Sequence, residues 1–170
     1  MKKVLIGVVG LLVVVIAITG YVNWRQSAAL REAQANATLA VTWGDDNSAT
    51  LSMQQVQALP AEEFAVVQRS SDAPDSDQVF KGVALKVALS EQGVPLDDSS
   101  LVTVKAADGY AVALTGSEVL QDENVYLVYQ RGGEPLGTKA SGGTGPFQLV
   151  IRQDTYAQRW CKFVSEIQVK

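Results

Sequence analysis

Residues 4–22, VLIGVVGLLVVVIAITGYV, carry no charge and no proline. At a helical rise of 1.5 Å per residue, a run of this length covers most of a ~30 Å hydrocarbon layer. A segment that is apolar on every side has no polar face to turn toward water. The expected organisation is therefore a cytoplasmic N-terminus at 1–3, a transmembrane signal-anchor at 4–23, a stalk or linker at 24–40 and one folded domain at 41–170. A cleaved signal peptide is the rival reading, but its apolar region is shorter and a small-residue cleavage site follows it closely. The best such site here, Ala35-Asn36-Ala37, lies well downstream.

Lys2 and Lys3 favour keeping the N-terminus on the cytoplasmic side, against weaker opposition from Arg25 and Arg31. Tyr21 and Trp24 suit the interfacial belt. These features predict a single-pass protein of the inner (cytoplasmic) membrane, with its C-terminal domain in the periplasm or outside. Setting aside Lys2 and Lys3 leaves 12 basic against 18 acidic residues, a net charge near −6. Such a surface repels phosphate backbones, so nucleic acid is not an expected partner. The chain has one cysteine, Cys161, and no histidine. That removes internal disulfides, Cys/His zinc sites and the base of every Ser-His or Cys-His pair.

The remaining sequence mixes short strands with short helices. VTW and ATL flank the polar turn GDDNS at 44–48, and Ser52-Met53-Gln54-Gln55 is a capping box that opens a helix ending at Leu59-Pro60. Residues 63–68 read as a strand and SSDAPDSDQ, 70–78, as a polar loop. The stretch from Gly82 to Leu89 reads as a helix, with apolar positions 85, 88 and 89 on one face and Gly93 as its stop. Residues 101–106 and 110–114 form a hairpin around Asp108-Gly109; 125–130, 147–152 and 163–169 are further strands. Neighbouring strands read as antiparallel, which gives an α+β domain.

The segments FKGVALKVALSEQGVPL, VTVKAADGYAVAL, VYLVYQRGGEPLGTKASGGTGPFQLVIRQD and RWCKFVSEIQV, in that order, resemble the sulfite-oxidase-like, molybdopterin-binding oxidoreductase superfamily, especially its small exported members. The resemblance covers roughly residues 50–170. It implies a mixed sheet with short helices and, by family habit, a molybdopterin cofactor. Catalytic members carry a molybdenum-binding cysteine after the strand at 63–68; here that segment is Gln68-Arg69-Ser70-Ser71. A thiolate is a strong soft donor, whereas Arg69 is a permanent cation and Ser70 a poor ligand. The expectation is a domain without bound cofactor that binds an envelope protein or a small anionic ligand. A molybdopterin-dependent oxidoreductase lacking a protein thiolate is the alternative.

The stretch GGEPLGTKASGGTGPFQL, 132–149, comes within one transposition of a phosphate-binding loop, but a strand follows it where a helix is required. It reads as a turn and a flexible loop, with Arg131, Lys139 and exposed amides available to a small anion. Asp72, Asp75 and Asp77 lack the glycine and distal glutamate of a calcium loop. Asp108 and Tyr110 sit at a turn on a rigid scaffold, where sites are often built. The candidate ligand-binding residues are thus Arg69, Asp108, Tyr110, Arg131 and Lys139; no catalytic or metal-ligating residue is assigned. Cys161 reads as a buried, inert thiol.

Overall fold

The computed structural model describes the backbone of residues 2–70 and 73–170, with side chains described from Gly10 onward except at positions 26, 30 and 73. The apolar run lies inside one helix, α1 (Lys2–Ala35), which continues through most of the expected stalk. Among the described residues, no helix is long and apolar enough to cross a membrane. The side chains of residues 4–9, part of the apolar run, fall outside that description.

Two residues after α1 the chain enters β1 (Thr38–Trp43), which turns back at once into β2 (Asn47–Ser52). The Ser52 capping box opens α2 (Met53–Ala58): Ser52 N–H donates to Gln55 Oε1 at 2.9 Å and Gln55 N–H to Ser52 Oγ at 3.3 Å. β3 (Ala61–Ser70) and β4 (Ala73–Ala84) make a long hairpin, and α3 (Leu85–Glu91) follows directly. Next come the hairpin β5 (Leu101–Ala106) and β6 (Ala111–Thr115), then α4 (Gly116–Leu120). β7 (Val125–Arg131), the two-residue β8 (Glu134–Pro135), β9 (Gln148–Ile151) and β10 (Val164–Val169) complete the fold.

The α+β expectation holds, with ten strands arranged in two sheets among the described residues. One runs β2-β1-β10-β5-β6; the other runs β3-β4-β7-β8, with β9 also paired to β7. Nearly all pairings are antiparallel, but β1 and β10, from opposite ends of the domain, run parallel. In β5 every second residue points inward (Val102, Val104, Ala106), the period-2 pattern of a half-buried strand. β7 is buried from Val125 to Tyr129, as befits a central strand covered on both faces. Side chains from both sheets, α2 and α3 join a single core cluster. Its aromatic part packs Phe64 against Tyr126 (4.5 Å between centroids) and Phe80 edge-on to Trp160 (5.9 Å).

Two local readings are corrected. The stretch expected as a polar loop at 70–78 is mostly β4, whose residues from Ala73 onward pair with β3; Ser71 and Asp72, and with Asp72 part of the calcium reading, lie outside the described residues. The glycine at 82 sits in β4, not in a helix: α3 begins only at Leu85.

α1 is joined to the domain by more than the chain. Gln34 is buried, and its Nε2 donates to the Tyr129 carbonyl on β7. Arg31 approaches Glu134 of β8 at 3.9 Å, an exposed pair of little energetic weight.

Candidate functional site

Arg69 stands near the end of β3, where its Nε meets Asp75 Oδ2 across the hairpin at 3.2 Å. Both side chains are about half exposed, so the pair is weak and exchangeable. Cys161 lies far along the chain, fully buried ahead of β10, with its Sγ 3.7 Å from the Lys162 carbonyl. Burial, aided by the negative charge of Asp108, pushes its thiol up to about 11. It is therefore protonated at neutral pH and supplies no thiolate. Among the described residues no group of three or more carboxylate or thiol side chains gathers as a metal site. The donors present do not fit a molybdenum centre held by a protein sulfur.

The glycine-rich stretch is not the loose loop expected. Gly132 and Gly133 take positive φ and turn β7 into β8. Lys139–Ser141 then form one 3-10 turn, closed by Gly142 at φ 73°. The N–H groups of Gly142, Gly143, Thr144 and Gly145 donate to the carbonyls of Lys139, Thr138, Leu136 and Gly137 respectively, all within 3.1 Å. These four amides are satisfied inside the loop and are not free to cradle an anion. The loop sets the backbone from which the exposed Lys139 side chain extends.

Lys139 Nζ lies 5.8 Å from the centroid of the Phe163 ring, within cation–π range. Phe163 itself has φ 56°, a strained conformation for a bulky residue. It is clamped there because its N–H donates to the Thr144 carbonyl and its carbonyl accepts from Ala107 N–H, both at 2.9 Å. This one residue therefore ties the glycine loop to the corner between β5 and β6.

That corner carries Asp108 and Tyr110. Asp108 Oδ1 accepts from Tyr110 N–H at 3.2 Å, while Gly109 takes φ 92°; an aspartate folding back on its own backbone is what stabilises such a turn. The Tyr110 hydroxyl donates to the Gln158 carbonyl at 2.8 Å. Two hollows meet at Asp108. One, of about 280 Å³, is lined by Thr38, Lys139, Pro146, Phe163 and Ser165 as well; the other, of about 290 Å³, adds Tyr110, Gln158, Trp160 and Lys162.

The structure thus brings Asp108 together with Lys139 on one side and with Tyr110 on the other. Arg69 and Arg131, on the other sheet, line neither hollow. Arg131 ends β7, exposed, with Phe80 and Glu134 as its strand neighbours. Sequence reasoning missed Phe163, Ser165 and Lys162. Only Lys162, flanking the lone cysteine, carried any signal.

Behind the second hollow, Arg159 clamps the 3-10 turn at Ala157–Arg159 to α4. It engages Asp154 through both Nε (2.9 Å) and Nη2, and Glu118 Oε1 through Nη1 at 2.8 Å. A planar fork on paired carboxylate oxygens is a directional contact, which makes the floor rigid.

Residues 26–170 match the family model described as oxidoreductase molybdopterin binding domain. Among solved structures, the sulfane dehydrogenase SoxCD from Paracoccus pantotrophus resembles the chain with a TM-score of 0.65 at 16% sequence identity. The match covers 80% of this chain but 38% of that one, so it speaks for the fold alone. No curated protein matches the sequence.

Proposed function

Because the chain belongs to the oxidoreductase molybdopterin binding domain family, with its sulfite-oxidase-like fold, we propose that it keeps the family's scaffold while having lost molybdenum chemistry, and acts as a binding module. The observation that carries this reading is Arg69. It occupies the segment where the catalytic members of the family have their metal-binding cysteine, and it is engaged with Asp75. The remaining thiol, Cys161, is buried and protonated.

The ligand site is the hollow between Asp108 and Lys139. The Lys139 ammonium, the Phe163 ring and the hydroxyl-bearing residues Thr38 and Ser165 suit a small anionic molecule, with Asp108 selecting for one that also presents a hydrogen-bond donor. Arg69 and Arg131 then have no role in that site. The domain is held at a membrane by α1 as a single-pass anchor and faces the periplasm. In support, the described apolar side chains from Leu11 to Ile18 stand exposed on all sides of the helix, an arrangement without a water-facing side.

The ligand site is tested by titrating the full chain with inorganic phosphate and with small zwitterions such as amino acids, following thermal stability. A bound ligand in excess over its Kd raises the midpoint by mass action. The rise should be present in wild type and absent in Lys139→Ala, with Asp108→Asn losing only the response to zwitterions. A wild type that responds to none of these probes, or a Lys139→Ala variant that responds as wild type does, contradicts the assignment.

A further inference from the structure

We propose that two copies of this chain join edge to edge along β3, pairing antiparallel about a two-fold axis at Val66. β3 closes one end of its sheet, and among the described residues no strand pairs with its outer side. The Ala157–Arg159 turn adjoins β3 but forms no ladder with it. β3 runs for ten residues, against six and five in β2 and β6, the edges of the other sheet. Exposed edges of that length are normally blunted by proline, lysine or a bulge. β3 contains neither residue; its ladder with β4 is regular as far as Gln68 and shifts register only between Gln68 and Ser70, at Arg69, and its exposed charges on this face, Glu63 and Arg69, are of opposite sign.

The side chains on the outer face fit a second copy. Glu63, Ala65, Val67 and Arg69 alternate along this face and are all exposed. In register beside them on β4 stand Lys81, Val79 and Asp77, opposite Glu63, Ala65 and Val67. Val67 and Val79, at 41% and 42% exposure, are two of the few large apolar side chains the domain leaves open.

A two-fold axis through Val66 sets Glu63 opposite Arg69 of the second copy, twice, and Ala65 opposite Val67 of the second copy, twice. Each charged row then reads Lys81, Glu63, Arg69, Asp75 from one copy into the next, with signs alternating throughout. The apolar pairs lie between the two charged rows. A slip of two residues in one direction leaves Glu63 facing Val67; a slip in the other leaves Arg69 facing Ala65. Charge and hydrophobic pattern therefore select the same register. The interface is isologous and closes as a dimer.

The test uses the full chain in mild detergent, with mass measured by sedimentation over a concentration series. Wild type should be a dimer. Glu63→Arg and Arg69→Glu should each raise the dissociation constant about tenfold or more, since each turns two attractive cross-strand pairs into repulsive ones. Glu63→Arg combined with Arg69→Glu should restore the dimer. A Val66→Cys variant, with native Cys161 buried, should form a disulfide between copies on mild oxidation, because directly opposed antiparallel Cα atoms lie about 4.5–5.5 Å apart, within the span a disulfide bridges. Monomeric wild type throughout the series overturns the proposal and leaves the edge to a strand from another protein. So does a dimer indifferent to both single charge reversals, a double variant that stays apart, or a dimer that Val66→Cys fails to cross-link.

Discussion

Replacing Gly82 by alanine puts a methyl group where β4 has no room for one. A Cβ built at this position lies 2.4 Å from the Leu127 carbonyl oxygen, 2.5 Å from Val128 Cα and 2.8 Å from Val128 Cγ1. The two closest atoms are backbone, so no rotamer change relieves the clash. The ladder between β4 and β7 shifts register between Lys81 and Gly82, and the two backbones lie close together at this point. Accommodating the methyl means prising β4 from β7, in a part of the core where Val83, Leu127 and Val128 are all fully buried. Overpacking of this kind costs about 2–3 kcal/mol, or roughly 4–12 °C in melting temperature for a chain of this size. The assay is thermal and urea unfolding followed by circular dichroism, comparing Gly82→Ala with wild type. A variant that melts with wild type would refute the argument that this glycine is required by the approach of two strands.

The Cys161 thiol, raised from 9.0 to about 11, should resist alkylation at pH 8 in the folded protein and react promptly in urea. Its folded value exceeds the unfolded one, so its contribution to stability is complete below pH 9 and fades as pH rises toward 11; Cys161→Ala should flatten that part of the alkaline limb. Thr115→Ala removes the hydroxyl that accepts from Glu118 N–H at the start of α4 and should cost about 1 kcal/mol in urea unfolding. Burial pushes the Glu118 carboxyl up, but the Thr115 N–H and Arg159 outweigh it and hold the group below its usual 4.5. Its contribution is present above that value and fades as pH falls, so Glu118→Gln should show a shallower acid limb.

The local features were legible where a backbone group is satisfied by a near neighbour in sequence. The Ser52 box, the Asp108-Gly109 corner and the stop at Gly93 all appear as read. Strand pairs built from alternating apolar residues, such as β5 and β6, were also readable. β4 was not, because its residues as far as Val79 pair with β3 in an arm beyond the β7 ladder, and none of residues 74–79 is fully buried. Composition alone cannot distinguish a solvated strand from a loop. The parallel pairing of β1 with β10 joins segments more than a hundred residues apart, which no local pattern encodes. The site shows the same division. Asp108 and Tyr110 announced themselves through turn chemistry and Lys139 through its glycines, whereas Phe163 matters because hydrogen bonds from Ala107 and to Thr144 hold it in a left-handed conformation. Arg69 and Arg131 were singled out for their charge, and charge does not say which sheet faces a hollow.

The central claim, a molybdopterin-family fold without molybdenum chemistry, is tested most directly by metal and pterin content. The full chain should be made in cells that synthesise the molybdenum cofactor and purified gently. Molybdenum is then measured by mass spectrometry and pterin by fluorescence after oxidation, each per mole of chain. The account predicts neither above background. One molybdenum and one pterin per chain would contradict it.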